Sequence, residues 1–237
     1  NPPPKKRKLN YQHILQQADD ILNGKTGITY EKTVCEDNAC LVPLYQDCLN
    51  LPYQPYDYQK VGGVAIDAMF GLSNGVKASN ILVSSPTGSG KTFLIKHAAK
   101  RAAEHNLRLI IGVPLVALAE QTFSELRELL KEFRKENDTE FSPVGIRTGP
   151  SEMFPEARIL VCTYEIIAIN LTLNVEFLDE CPVLILDEIH FMTDRDRGAR
   201  VEYIASSLPE GTGLIGLSGT IPNAIEFAHS MSRATHH

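Results

Sequence analysis

The chain runs to 237 residues, 43% of them hydrophobic, enough for one large α/β domain or two small ones around a sizeable core. It carries 23 basic against 29 acidic residues, a net charge of −6. That excludes a histone-like basic nucleic-acid binder, but not a local channel of basic side chains and backbone amides.

The longest apolar stretch, LIIGVPLVALA, is about half a membrane span and contains Gly112 and Pro114, so no membrane partner is expected. The five cysteines are Cys35, Cys40, Cys48, Cys162 and Cys181. They form no CxxC pair and have no His partners at zinc-site spacing, so zinc is not expected. Cys162 and Cys181 sit in or beside apolar runs and read as core thiols. Free thiols fit a reducing compartment, where the sequons at Asn137 and Asn170 carry no meaning.

Residues 1–10, NPPPKKRKLN, are Pro-rich and then basic, a composition expected to be disordered. KKRK reads as a nuclear import signal held extended by the prolines, with a solubilising tail as the plainer alternative. Residues 11–22 put Tyr11, Ile14, Leu15, Ala18, Ile21 and Leu22 on one face before Gly24, a short amphipathic helix. Residues 25–50 have weak periodicity, so 11–50 reads as an accessory segment.

From residue 51 the pattern is regular. Helix is expected over 57–70, strand over 79–84, helix over 91–104, strand over 108–113 and helix over 115–134. Strands over 143–147 and 158–162, helix over 164–171, strand over 182–187, helix over 199–207, strand over 213–218 and helix over 222–232 follow. The runs NILV, LRLIIGV, RILVC, PVLIL and GLIGL are continuously apolar, as in strands buried on both faces. The expected fold over 51–232 is therefore a doubly wound α/β domain, a mostly parallel sheet with helices on both faces. Ligands of such sheets bind at the carboxyl ends of the strands. Residues 233–237 read as a frayed or tag-derived end.

SPTGSGKT, residues 85–92, is close to the Walker A pattern GxxxxGKS/T, with Ser85 at the first glycine position. It follows an expected strand and opens an expected helix. A phosphate cradle would run through Pro86, Thr87, Gly88, Ser89 and Gly90, the glycines permitting turns that aim N–H groups inward. Lys91 would reach the β- and γ-phosphates, and the Thr92 hydroxyl would ligate magnesium. A flexible Ser/Gly linker is the plainer alternative. A second candidate lies in PVLILDEIH, an apolar strand ending in Asp187, Glu188 and His190. Asp187 could hold magnesium through water and Glu188 could polarise an attacking water, unless the acids merely begin a loop.

DEIH resembles the DExH box of superfamily 2 helicases, and further motifs follow in that family's order. YQPYDYQK resembles the Q motif, which implies that Gln59 reads the adenine edge with Tyr53 nearby. GVPLVALAEQ resembles motif Ia, GIRTGP motif Ib and VCTYE the following TTE-type motif. These imply RNA contacts through Pro114, Leu115, Ala117, Gln121, Thr148, Gly149, Thr163 and Glu165. LSGT resembles the SAT motif, implying coupling through Ser218, Gly219 and Thr220, with His190 linking the ATP site to it. FMTDRDRGARVEYIASSLP and LSGTIPNAIEFA resemble stretches of superkiller-type DExH RNA helicases, where Arg197 implies an RNA-side or domain-positioning role. The resemblance covers about residues 50–232. Gly219 stands for the usual Ala, TGP for TGD, and PTGSGKT for the TSAGKT common in the superkiller group; these leave the ATP chemistry intact and loosen the subgroup assignment.

The resemblance implies the first of two RecA-like domains of an ATP-dependent 3′-to-5′ RNA helicase using ATP and Mg2+. Its substrates would be single-stranded RNA or RNA with a 3′ overhang, and its partners the RNA exosome and adaptor proteins. Since the second domain supplies the arginine finger, the domain alone is expected to be monomeric, to bind adenine nucleotide weakly and to hydrolyse it slowly or not at all. A DNA repair-type superfamily 2 helicase, a catalytically idle RecA-like scaffold and a non-helicase P-loop ATPase are the alternatives. KKRK favours a nuclear over a cytoplasmic location.

Overall fold

In the computed structural model the described residues are 57–72, 80–133, 142–173, 175–189 and 195–219. The expected helices over 11–22 and 222–232 and the segment 25–50 lie outside them, as do Tyr53, His190 and Thr220. Helix α1 spans Asp57–Met69, strand β1 Asn80–Ser84, α2 Thr92–His105, β2 Leu109–Val113 and α3 Val116–Leu129. Then come β3 Val144–Arg147, β4 Glu152–Met153, β5 Ile159–Thr163, α4 Tyr164–Leu173, β6 Val183–Leu186, α5 Arg195–Ser206 and β7 Gly213–Ser218.

The strands form one sheet in the order β1-β7-β6-β2-β5-β3-β4, parallel except for the β3–β4 pair. Successive side chains of a strand point to opposite faces, and two cores follow. Leu109, Ile111, Val161, Ile185 and Ile215 pack with Leu94, Ala98 and Phe123, under α1, α2 and α3. Ile110, Leu160, Cys162, Leu184 and Leu214 pack with Tyr164, Ile167, Val201 and Ile204, under α4 and α5. The doubly wound, mostly parallel sheet is as the continuous apolar runs imply.

Cys162 and Cys181 are free, buried thiols, which burial pushes up to about 12 and about 11. Helix α2 ends where Asn106 takes a left-handed conformation (φ 53°) and its N–H returns to the Ala102 and Ala103 carbonyls, a conformation Asn tolerates well.

Three elements differ from the sequence expectation. The helix expected over 115–134 stops at Leu129, and a 3-10 turn over Lys131–Phe133 follows a fully buried Leu130. Helix α5 begins at Arg195 rather than at 199, because RDRG has no apolar periodicity to announce it. Strand β4 was not anticipated. It is two exposed residues, too short to alternate, and returns from the Thr148 turn to pair Met153 with Ile146 and Glu152 with Arg147. Gly145 makes room for the chain leaving β4, since a Cβ there would lie 2.0 Å from the Phe154 carbonyl oxygen.

Candidate active site

The parallel strands place their carboxyl ends along one edge, and both chemical motifs emerge there. The Walker A loop leaves β1 after Ser84, and the acidic pair leaves β6 after Leu186. The two strands are not neighbours. β7 lies between them, with Ser84 paired to Ser218 and Leu186 to Gly216. The end of β7 therefore separates the two motifs by about two strand spacings, roughly 10 Å. The Ser85 N–H donates to the Ser218 carbonyl at 3.1 Å and the Ser84 hydroxyl to the Gly219 carbonyl at 3.2 Å, tying the loop's entry to that strand end. The Ser218 hydroxyl is fully buried and has no hydrogen-bond partner among the described residues.

The loop has a cradle's backbone. Gly88 (φ 80°) and Gly90 (φ 89°) hold left-handed conformations that favour glycine. A Cβ on Gly88 would meet nothing within 4 Å, so backbone angle rather than space selects glycine there. Ser85 and Ser89 hydroxyls bond at 2.6 Å, and the Ser89 N–H closes a turn to the Pro86 carbonyl at 3.2 Å. Pro86, Thr87 and Gly88 are exposed on the loop. Lys91 is buried, its ammonium donating to the Ser85 and Pro86 carbonyls at 2.9 and 3.2 Å, and Thr92 is exposed at the start of α2. Gln59 is also buried, with its amide donating to the Gly90 carbonyl at 2.9 Å. Its amide nitrogen thus supports the loop from behind.

The acids follow a continued ladder, the Asp187 N–H donating to the Gly112 carbonyl at 2.8 Å. Asp187 accepts the Glu188 N–H at 2.9 Å, and Glu188 is left-handed (φ 57°), a strained conformation for a non-glycine residue. Burial and the neighbouring Glu188 charge push the Asp187 carboxyl up to about 6; the Glu188 N–H and the Lys91 ammonium oppose the shift. An aspartate raised in this way favours a cation beside it. The Tyr164 hydroxyl donates to the Asp187 carbonyl from beneath. Tyr164 lies inside the quoted VCTYE motif, but no pattern in the sequence points it at Asp187.

Of the candidate RNA residues, Pro114, Leu115, Thr148, Gly149 and Thr163 end or follow β2, β3 and β5 at this edge, Ala117 and Gln121 lie on α3 and Glu165 on α4. Pro114 and Thr163 are buried, whereas Leu115, Ala117, Gln121 and Gly149 are exposed. Gln121 donates to Glu125 at 2.9 Å along α3. The buried Thr148 hydroxyl accepts the Ser151 N–H at 3.0 Å, holding the β3–β4 turn and leaving Gly149 outermost. Glu165 pairs with Arg200 of α5 at 3.1 Å, joining α4 to α5. Arg197 lies in α5, with its side chain outside the described residues.

The comparisons with known proteins agree with this geometry. Among solved structures, an S. cerevisiae Dbp5 variant bound to RNA and ADP BeF3 matches with a TM-score of 0.59 at 19% identity, over 81% of this chain and 48% of that one. The UvsW helicase of bacteriophage T4 matches with a TM-score of 0.55 at 19% identity, over 92% and 74%. At that identity they show the fold, which is RecA-like.

Among curated proteins, the Schizosaccharomyces pombe ATP-dependent RNA helicase mtr4 is 30% identical over 232 residues, 92% of this chain and 20% of the relative. The human Exosome RNA helicase MTR4 is 36% identical over 149 residues, 63% of this chain and 13% of the relative. The human Superkiller complex protein 2 is 32% identical over 154 residues, 65% and 12%. The chain thus spans about a fifth or less of the length of these relatives. The profile of the DEAD/DEAH box helicases matches residues 66–227, which include the loop, the acidic pair and the strand end between them, and the chain belongs to that family.

Proposed function

We propose that the chain is the ATP-binding first RecA-like domain of an ATP-dependent 3′-to-5′ RNA helicase that works with the RNA exosome. The observation that carries this reading is the edge itself, where a positive-φ glycine loop and a strained acidic pair flank a strand end bonded to the loop. The residues fit the nucleotide and its metal. Gly88, Gly90 and, on release of its turn to Pro86, Ser89 would offer backbone N–H groups, and Lys91 would exchange its two loop carbonyls for β- and γ-phosphate oxygens. Thr92 and Asp187 would hold Mg2+, which neutralises charge developing on the phosphates. Glu188 orients and polarises the attacking water. Ser218, Gly219 and Thr220 couple that site to the RNA side, with His190 and Arg197 in the same pathway. Gln59, with Tyr53 as its aromatic partner, would read the adenine edge.

RNA follows the same edge across Pro114, Leu115, Ala117, Gln121, Thr148, Gly149, Thr163 and Glu165. Backbone and hydroxyl contacts to phosphates there would carry little base specificity. The names of the mtr4 relatives support RNA over DNA, and exosome-linked processing over repair. KKRK favours the nucleus over the cytoplasm. The test is ATP turnover by the intact enzyme with single-stranded RNA, RNA with a 3′ overhang, and DNA. RNA stimulation lost in Lys91→Ala is expected; stimulation by DNA alone, or turnover independent of Lys91, refutes the reading.

A further inference from the structure

Asp67 belongs to no motif and lies two helical turns from Gln59 on α1. Its carboxylate accepts from His97 Nε2 at 3.2 Å and from Arg101 Nε at 2.9 Å, both on α2. The His97 side chain is fully buried and stacks on Phe93 with ring centroids 6.2 Å apart. Burial opposes ionisation of Asp67, yet its two partners outweigh burial and hold the carboxyl below its usual range. One end of α1 is thus fastened to the middle of α2.

The other end is fastened to the loop that α2 grows from. The Gly90 carbonyl accepts twice, from Phe93 N–H at 3.0 Å in the first turn of α2 and from Gln59 Nε2 at 2.9 Å. Between the two fastenings the helices approach closely, for a Cβ on Gly62 would lie 2.8 Å from Leu94 Cδ2. Along α2 the contacts fall at Leu94, His97 and Arg101, the spacing of one helix face, with Gly90 in the loop just before it. α1 cannot slide on that face without unpairing Asp67 or releasing the Gly90 carbonyl.

We propose that Asp67 is a positioning residue for nucleotide binding. Its hydrogen bonds with His97 and Arg101 set where α1 lies on α2, and so hold Gln59 on the Gly90 carbonyl and keep the last turn of the phosphate loop in shape. This rests on the ATP-binding reading of the loop.

The test is a double-mutant cycle on Mg·ATP affinity in the 237-residue chain, read with a fluorescent ribose-labelled ATP. The variants are Asp67→Asn, Gln59→Ala and the pair, at a temperature where circular dichroism shows all of them folded. Residues 59 and 67 are about 12 Å apart along the helix, beyond the range within which substitutions usually couple. If Asp67 acts through Gln59, each single variant weakens binding about tenfold and the pair by about the same tenfold. Losses that multiply to about a hundredfold, or an unchanged Kd in Asp67→Asn, overturn the positioning role. If Asp67→Asn does not fold, Arg101→Gln takes its place in the same cycle. Lys91→Ala separates the two levels. Wild-type binding that does not need Lys91 overturns the ATP reading and the proposal with it; Lys91-dependent binding with multiplied losses overturns the positioning role alone.

Discussion

Replacing Tyr164 with Phe removes one oxygen and leaves the ring in place. That ring is 1% exposed and flanks Gly112, where a Cβ would lie 3.3 Å from Tyr164 Cδ1. Its hydroxyl donates to the Asp187 carbonyl. Burial, then the charges of Asp187, Glu188 and Glu165, push the phenol well above its ordinary range, so it remains a protonated donor at every working pH. In Tyr164→Phe the Asp187 carbonyl loses this donor at the point where the chain enters the left-handed Glu188. A buried polar group left without a partner costs about 1–3 kcal/mol. At about 2 kcal/mol, a domain of this size should melt about 4–8 °C lower. The assay is a circular dichroism melt of the 237-residue chain at pH 7.5. In the intact enzyme, turnover should fall more than Mg·ATP affinity, because the perturbation lies under the acids and not under the loop. A melting point within about 1 °C of wild type would show that the carbonyl finds another donor and that Tyr164 serves only as a core ring.

Asp187→Asn should stabilise the nucleotide-free chain at pH 8, in buffer with a chelator. The folded carboxyl titrates near 6, above its unfolded value, so its stabilising contribution is present below about pH 4 and is lost as pH rises through 6. The gain, on the order of 2 kcal/mol at pH 8, should shrink steadily toward pH 5 in paired melts. A gain that is constant with pH would mean that Asp187 is not raised. Glu188→Gln in the intact enzyme should bind Mg·ATP normally and lose turnover by at least about 100-fold in single-turnover assays. Gly145→Ala should cost about 3 kcal/mol or more, because its methyl group meets the Phe154 backbone oxygen and not a movable side chain. Gly149→Ala, with nothing within 4 Å, should stay within about 0.5 kcal/mol by the same denaturant titration.

Much of this edge was legible before the structure. The Walker A loop and the acidic pair each end an apolar strand, and strand, turn and helix onset are written within a dozen consecutive residues. Helix α2 and strand β2 were placed to within a residue because periodicity and turn chemistry are local. Strand β4 was not legible, since two exposed residues carry no alternation, and the start of α5 was hidden by a charged turn. Gln59 was assigned to adenine by resemblance; the fold also places its amide on the Gly90 carbonyl.

The sequence by itself determined the fold class, the glycine loop after β1 and the acidic pair after β6, because these depend on backbone angles and side-chain periods within a few residues. Only the tertiary structure decided that β7 stands between β1 and β6, and so that Ser218 separates loop from acids. It also joined Tyr164 to Asp187, and Asp67 to His97 and Arg101, pairs 23, 30 and 34 residues apart. Such pairs have no local signature, because each forms only when whole elements have packed and the groups they bury must find partners.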